Sequence, residues 1–112
     1  MSEARFEELV GEALDSIPDE LAALMENVAV FVEDRAASMN LLGLYHGIPL
    51  TERTPGSYGL VMPDRITIYR LPILLRCHTE AEVVRQVGIT VVHEVGHHFG
   101  IDDDRLHELG WG

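Results

Sequence analysis

Two histidines four residues apart, with a glutamate directly after the first, form the pattern H-E-x-x-H in His93-Glu94-Val95-Gly96-His97. On an α-helix, residues i and i+4 share a face about 6 Å apart, so both imidazoles can reach one ion at roughly 2.0 to 2.1 Å. Glu94 stands about a quarter-turn around the helix from His93. That places it outside the ligand set and beside an open coordination position, where a general base belongs. The chemistry is hydrolytic: zinc held by three protein ligands keeps a fourth position for water, whose pKa falls to about 7, and a nearby carboxylate can take the proton.

A third ligand must come from outside those two helical turns. The chain continues His97-His98-Phe99-Gly100-Ile101-Asp102-Asp103, which completes H-E-x-x-H-x-x-G-x-x-D. Gly100 can adopt the left-handed conformation that ends a helix, so the chain can turn sharply and return Asp103 towards the histidines. Alternatives stay open. Asp102 suits the N-cap of a following helix, where backbone N–H groups would occupy its carboxylate. All three consecutive aspartates, including Asp104, can also serve a helix macrodipole. His107, four residues after Asp103 on the same helical face, could bond that carboxylate or replace it at the metal. Glu108 lies close to His97 and ranks behind Asp103. His98 is expected to pack or bond elsewhere, with support of a ligand from behind as the alternative. His46 and His78 lack ligand spacing. Tyr45, Tyr58 and Tyr69 are candidates to stabilise an oxyanion or simply to pack.

These residues need a helix to carry them. Thr79 and Glu82 form a capping box, and Val84, Val87, Val91, Val95 and Phe99 supply an apolar face that runs to Gly100. Upstream, Phe6, Leu9, Val10, Ala13, Leu14 and Ile17 mark an opening helix over residues 3–15, ended by Pro18. Pro18-Asp19-Glu20 can start a second short helix that turns Leu21, Leu24 and Met25 inward. Val28-Ala29-Val30-Phe31-Val32 reads as a buried strand. Residues 42–50, interrupted by Gly43, Gly47 and Pro49, read as a bulged or edge strand. Residues 51–59, with Pro55-Gly56 and Gly59, read as an exposed loop. Residues 64–70 alternate polar with apolar as a half-exposed strand should, and Pro72 stops its pairing. Residues 102–109 read as a short terminal helix. The order of elements predicts an α+β fold with helices against one mixed sheet, and a single domain over residues 1–112.

Composition narrows the setting. Apolar residues make up 46% and charged residues 24% of the 112, a globular balance. Nineteen acidic against eight basic residues leave a net charge of -11, which repels a phosphate backbone, so nucleic acid is not an expected partner. No run reaches the ~20 apolar residues that span a bilayer, and the N-terminus opens on an acidic amphipathic segment, so the expectation is a cytoplasmic protein without a membrane role. A single cysteine, Cys77, fits a reducing compartment and leaves a thiolate metal site without partners. Any metal must use histidine and carboxylate.

The sequence resembles the short bacterial minimal zincins, described as probable zinc metallopeptidases, most strongly over His93-Glu94-Val95-Gly96-His97-His98-Phe99-Gly100-Ile101. Asn27-Val28-Ala29-Val30-Phe31-Val32-Glu33, Leu44-Tyr45-His46-Gly47-Ile48-Pro49-Leu50 and Pro63-Asp64-Arg65-Ile66-Thr67-Ile68-Tyr69 also look like strand segments of that family. The resemblance implies a zincin-like fold with a small mixed sheet packed on a long active-site helix, N-terminal helices, and zinc on His93, His97 and Asp103. It also implies that the strand at residues 64–70 is the exposed sheet edge along which an extended peptide adds. The motif is similar to that of metzincins too, but their methionine turn follows the motif, whereas Met1, Met25, Met39 and Met62 all precede it.

The expected function is therefore hydrolysis of peptide bonds in an extended or flexible polypeptide, with one zinc per chain, His93, His97 and Asp103 as ligands and Glu94 as base. The alternative is a zinc-binding module without turnover, serving structure or partner contact.

Overall fold

The structure, a computed structural model, describes residues 1–47, 63–108, 110 and 111. Its architecture is α+β. In chain order the elements are α1 (Glu3–Asp15), α2 (Asp19–Leu24), β1 (Val28–Glu33), β2 (Gly43–His46), β3 (Asp64–Tyr69), α3 (Arg70–Arg76), α4 (Glu80–His98) and α5 (Asp103–Glu108). The expected loop at 51–59, the later part of the expected strand at 42–50, and Tyr58 lie outside the described residues.

Helices α1, α2 and α4 each begin at a residue that takes up N–H groups of the first turn. The Ser2 hydroxyl accepts the Arg5 N–H at the head of α1, and the Pro18 carbonyl takes the N–H groups of Leu21 and Ala22 at the head of α2. At α4 the Thr79 hydroxyl accepts the Glu82 N–H at 3.1 Å, while the Glu82 carboxylate reaches back to the His78 N–H at 2.8 Å. The reciprocal half of the expected capping box is therefore displaced by one residue. A bidentate ion pair from Arg5 to Glu80 ties the first turns of α1 and α4 together.

Among the described residues the sheet has three strands in the order β1-β3-β2, with β1 parallel and β2 antiparallel to β3. This corrects two expectations. The strand at 64–70 is the middle strand among the described residues, not the exposed edge; Ile66 and Ile68 are fully buried on α4, while Arg65 on the opposite face stays exposed. One covered and one open face produce alternation whether a strand is central or marginal. Conversely, β1 is half-buried and lies at an edge among the described residues, its Val28, Val30 and Val32 on the core and Phe31 outward under the Arg65 guanidinium. Among the described residues β2 also has a single neighbour, β3, as an edge strand would.

α3 was not expected. Pro72 halts pairing by sitting in the first turn of a helix, where a missing N–H leaves no bond unmade. Nineteen-residue α4 packs against α1, α2, α3, α5, β2 and β3. Its Val83, Val87, Val91, Val92 and Val95 close the core with Phe6, Leu9 and Ile73, while Phe99, expected on that face, is exposed. No helix among the described residues is long and apolar enough to cross a membrane.

β2 crosses α4 closely at one point. A Cβ on Gly43 would stand 2.7 Å from Thr90 Cγ2 and 3.2 Å from the Thr67 carbonyl oxygen, so only glycine lets the strand sit there. Gly43→Ala is expected to cost about 1–3 kcal/mol in urea unfolding through overpacking. Thr90→Ser removes the clashing methyl and keeps the hydroxyl that bonds the Gln86 carbonyl, so the double variant should recover most of that loss. Equal loss in the single and double variants would show that the close approach is not the cause.

Candidate metal centre

The C-terminal turn of α4 closes with two backbone bonds, Ile101 N–H to the Gly96 carbonyl at 2.7 Å and Gly100 N–H to the His97 carbonyl at 3.3 Å. This pairing needs a left-handed residue between helix and exit, and Gly100 supplies it with φ of 78°. The chain then reverses into α5, whose N-cap is Asp102: its Oδ1 accepts the Arg105 N–H at 2.8 Å. Leu106 anchors α5 in the core directly against Gly96, where a Cβ would meet its Cδ1 at 3.2 Å. Gly96, one of the unspecified positions of H-E-x-x-H, thus allows the close approach of α5.

This reversal brings Asp103 over the helix face that carries both histidines. Asp103 Oδ1 lies 2.9 Å from His97 Nε2 and 3.9 Å from His93 Nδ1, and one ligand atom from each of the three residues falls within 4.8 Å of the others. The rings of His93 and His97 stand 5.8 Å apart between centroids. Among the described residues these three form the sole group of three or more such side chains close enough to share an ion. The His97 hydrogen bond, reinforced by both imidazoles, holds the Asp103 carboxyl below the usual carboxylate range. His93 is half-buried and the other two are exposed, so the cluster opens to solvent.

The donor set fits zinc. Ligands around a tetrahedral zinc at 2.0–2.2 Å stand about 3.3–3.6 Å apart, between the two separations made here by Asp103, and two imidazoles with one carboxylate are a catalytic zinc set. Glu94, one residue along, is half-buried and lines a cleft of about 300 Å³ with His93, Thr90, Ile89, Leu41, Leu42 and Gly43. That cleft runs between α4 and the start of β2.

The remaining candidates fall elsewhere. Asp102 is engaged as a cap, and Asp104, His107, Glu108, His46 and His78 are outside the three-residue cluster. His98 turns away from the cluster. Its ring stacks on Tyr45 at 4.0 Å between centroids, and its Nε2 lies 3.7 Å from Asp64 Oδ2, which also accepts the Tyr45 hydroxyl at 2.7 Å. Gly47 makes room for that ring, since a Cβ there would come within 2.9 Å of it. The Tyr45 hydroxyl is thereby committed to Asp64, and Tyr69 is buried. Buried Asp64 gave no signal in sequence, because alternation assigns it a face and no partner. Trp111 was also missed: its carbonyl oxygen stands 2.9 Å from His93 Nε2. Gly110, which could end α5 as Gly100 ends α4, was the available signal.

A family model described as zincin-like metallopeptidase matches residues 25–111, a span that covers the sheet, α3, α4, α5 and the three clustered residues. No curated protein matches the chain.

Proposed function

Because the chain belongs to the zincin-like metallopeptidase family, we propose that it hydrolyses peptide bonds in extended or flexible polypeptide, with His93, His97 and Asp103 holding one zinc ion and Glu94 as general base. The observation that supports this most directly is the meeting of three suitable donors within 4.8 Å, one residue from a carboxylate that lines a cleft. Zinc, when bound, supplies a Lewis acid that polarises a carbonyl and makes water nucleophilic near neutral pH.

Glu94 takes the proton from the attacking water and, as a carboxylic acid, passes it to the departing amine. Its placement about 100° around the helix from His93 lets one rigid element hold both base and ligand, so their spacing does not vary. Among the described residues β2 lies at one side of the sheet next to α4, where an extended substrate could pair with its main-chain groups as a further strand. Leu41, Leu42 and Ile89 give the adjoining cleft apolar walls, and Gln86 and Thr90 give it a polar edge. It accommodates one substrate side chain of moderate size beside the bond to be cut. A folded partner cannot offer such a strand, which is why the substrate class is unfolded or flexible chain.

The test is incubation of zinc-loaded protein with a diverse library of unstructured peptides, read by mass spectrometry beside a chelated sample. Cleavage in the first and its absence in the second is the expected result. No cleavage by the zinc-loaded protein would move the assignment to a binding module without turnover.

A further inference from the structure

Along a strand the N–H and C=O groups of successive residues point to alternate sides. At the head of β1 the Asn27 carbonyl accepts the Asp64 N–H. Ala29, Phe31 and Glu33 therefore turn their main-chain groups to β3, and Val28, Val30 and Val32 turn theirs away. Among the described residues β1 has one neighbour, β3, so this second set faces outward from the sheet.

Beside that edge runs a groove of about 380 Å³ between β1 and α1, with Val10, Gly11 and Leu14 on one wall and Val30 and Val32 on the other. Gly11 opens it, since a Cβ built there meets nothing within 4 Å. A strand added to β1 would hang alternate side chains into this groove. It would lay the others beside Phe31, which is 47% exposed on the opposite face. Charge is balanced here in a chain whose net charge is -11: Arg35, Arg65 and Arg70 offset Glu26, Glu33 and Asp34 in and around β1. The repulsion that keeps copies of an acidic protein apart is thus locally cancelled.

We propose that a second copy of the chain occupies this edge, its β1 antiparallel to the first about a two-fold axis through Phe31. An axis perpendicular to the sheet keeps each face on its own side, so odd-numbered residues meet odd and even meet even. Val30 and the partner's Val32 then exchange both main-chain bonds. Phe31 stands opposite the partner's Phe31 in a pair without hydrogen bonds, the closer kind, with Cα atoms about 4.5 Å apart. Ala29 stands opposite the partner's Glu33. Arg65 pairs with Ala29 in register, and its exposed guanidinium lies over the Phe31 ring at 5.0 Å. The small Ala29 side chain leaves the way open from that cation to the partner's Glu33, and the axis repeats the ion pair. On the other face the partner's Val30 and Val32 enter the groove over Gly11. Centring on Val30 would set Glu26 opposite the partner's Asp34, and centring on Val32 would leave Val28 and Val30 outside the paired stretch. Charge and strand length therefore select Phe31. Because β1 and β2 lie on opposite sides of β3, the cleft beside Glu94 stays accessible in both copies. This inference depends neither on zinc nor on peptide cleavage.

Light scattering after gel filtration, over a dilution series of the full chain, tests it. Wild type should approach twice the 12.5 kDa of one chain at high concentration and return to one on dilution. Glu33→Arg and Arg65→Glu each set like charges together and should raise the dissociation constant about tenfold or more. Combining them restores opposite charges and should regain most of the affinity. Both positions are exposed, so circular dichroism should show all three variants folded. Gly11→Met fills the groove and removes a glycine from the middle of α1. It should abolish pairing without lowering the melting temperature at dilutions where wild type is monomeric. Wild type that stays a single chain at every concentration would overturn the proposal. So would a dimer that neither the charge variants nor Gly11→Met weaken.

Discussion

Glutamine in place of Glu94 is expected to leave zinc affinity near that of wild type and to lower the rate of peptide cleavage by about 10²- to 10⁴-fold. The substitution keeps the shape of the side chain and its capacity to hydrogen-bond, so the cleft beside Thr90 and Leu42 stays intact. What it removes is basicity: an amide oxygen does not take a proton from water near neutral pH. His93 and His97 are untouched, and the metal is expected to remain. Turnover is measured on a peptide identified from the library, and zinc by elemental analysis of the same preparations. Cleavage by Glu94→Gln at the wild-type rate would remove Glu94 from the mechanism, whatever the metal does.

The second large effect concerns the neighbouring aspartates, which are alike in chemistry and differ in what they touch. Asp103→Ala should weaken zinc binding by more than the ~10- to 100-fold seen when only a supporting partner is lost, because it removes a donor itself. Asp102→Ala should leave zinc affinity unchanged and cost about 1 kcal/mol of stability, since its Oδ1 caps α5 through the Arg105 N–H. Chelator competition reads the first effect and urea unfolding the second. His107→Ala serves as the control for the alternative third ligand. Loss of zinc from His107→Ala with retention by Asp103→Ala would reverse the assignment.

How far the sequence reached follows from how local each signal is. The bounds of α1 rest on an apolar stripe and Pro18, all within one element, and residues 3–15 were read from them as the structure has them. Likewise Thr79, Gly100 and Asp102 act on backbone groups within a few residues of themselves, so both ends of α4 and the cap of α5 were legible. Strand order is not local. Alternation in Asp64–Tyr69 records that one face is covered, and whether β2 lies alongside depends on a chain segment that alternation cannot see. Pro72 misled for a related reason, because the same missing N–H that ends a strand is harmless in the first turn of a helix. At the site, the three clustered residues were named in advance because they fall within one eleven-residue motif. The contact of Trp111 with His93 spans eighteen residues and uses a backbone oxygen that every residue possesses, so residue type carried no trace of it.

Helix α5 is only six residues long, too short to persist on its own, and it reaches α4 through Leu106, Asp103 and the segment that ends in Trp111. Such a piece is expected to open and close as a cooperative unit, and its closed population would set how often His93, His97 and Asp103 come together. A bound ion would act as a clasp across that opening, stabilising the closed form in proportion to RT ln(1 + [Zn]/Kd). With zinc as that ion, its availability would also govern how well this small unit is protected from proteolysis, separately from any effect on catalysis, and limited proteolysis with and without chelator would measure it. A scarce metal supply would leave a protein whose sheet and long helix are intact and whose last turn hangs open.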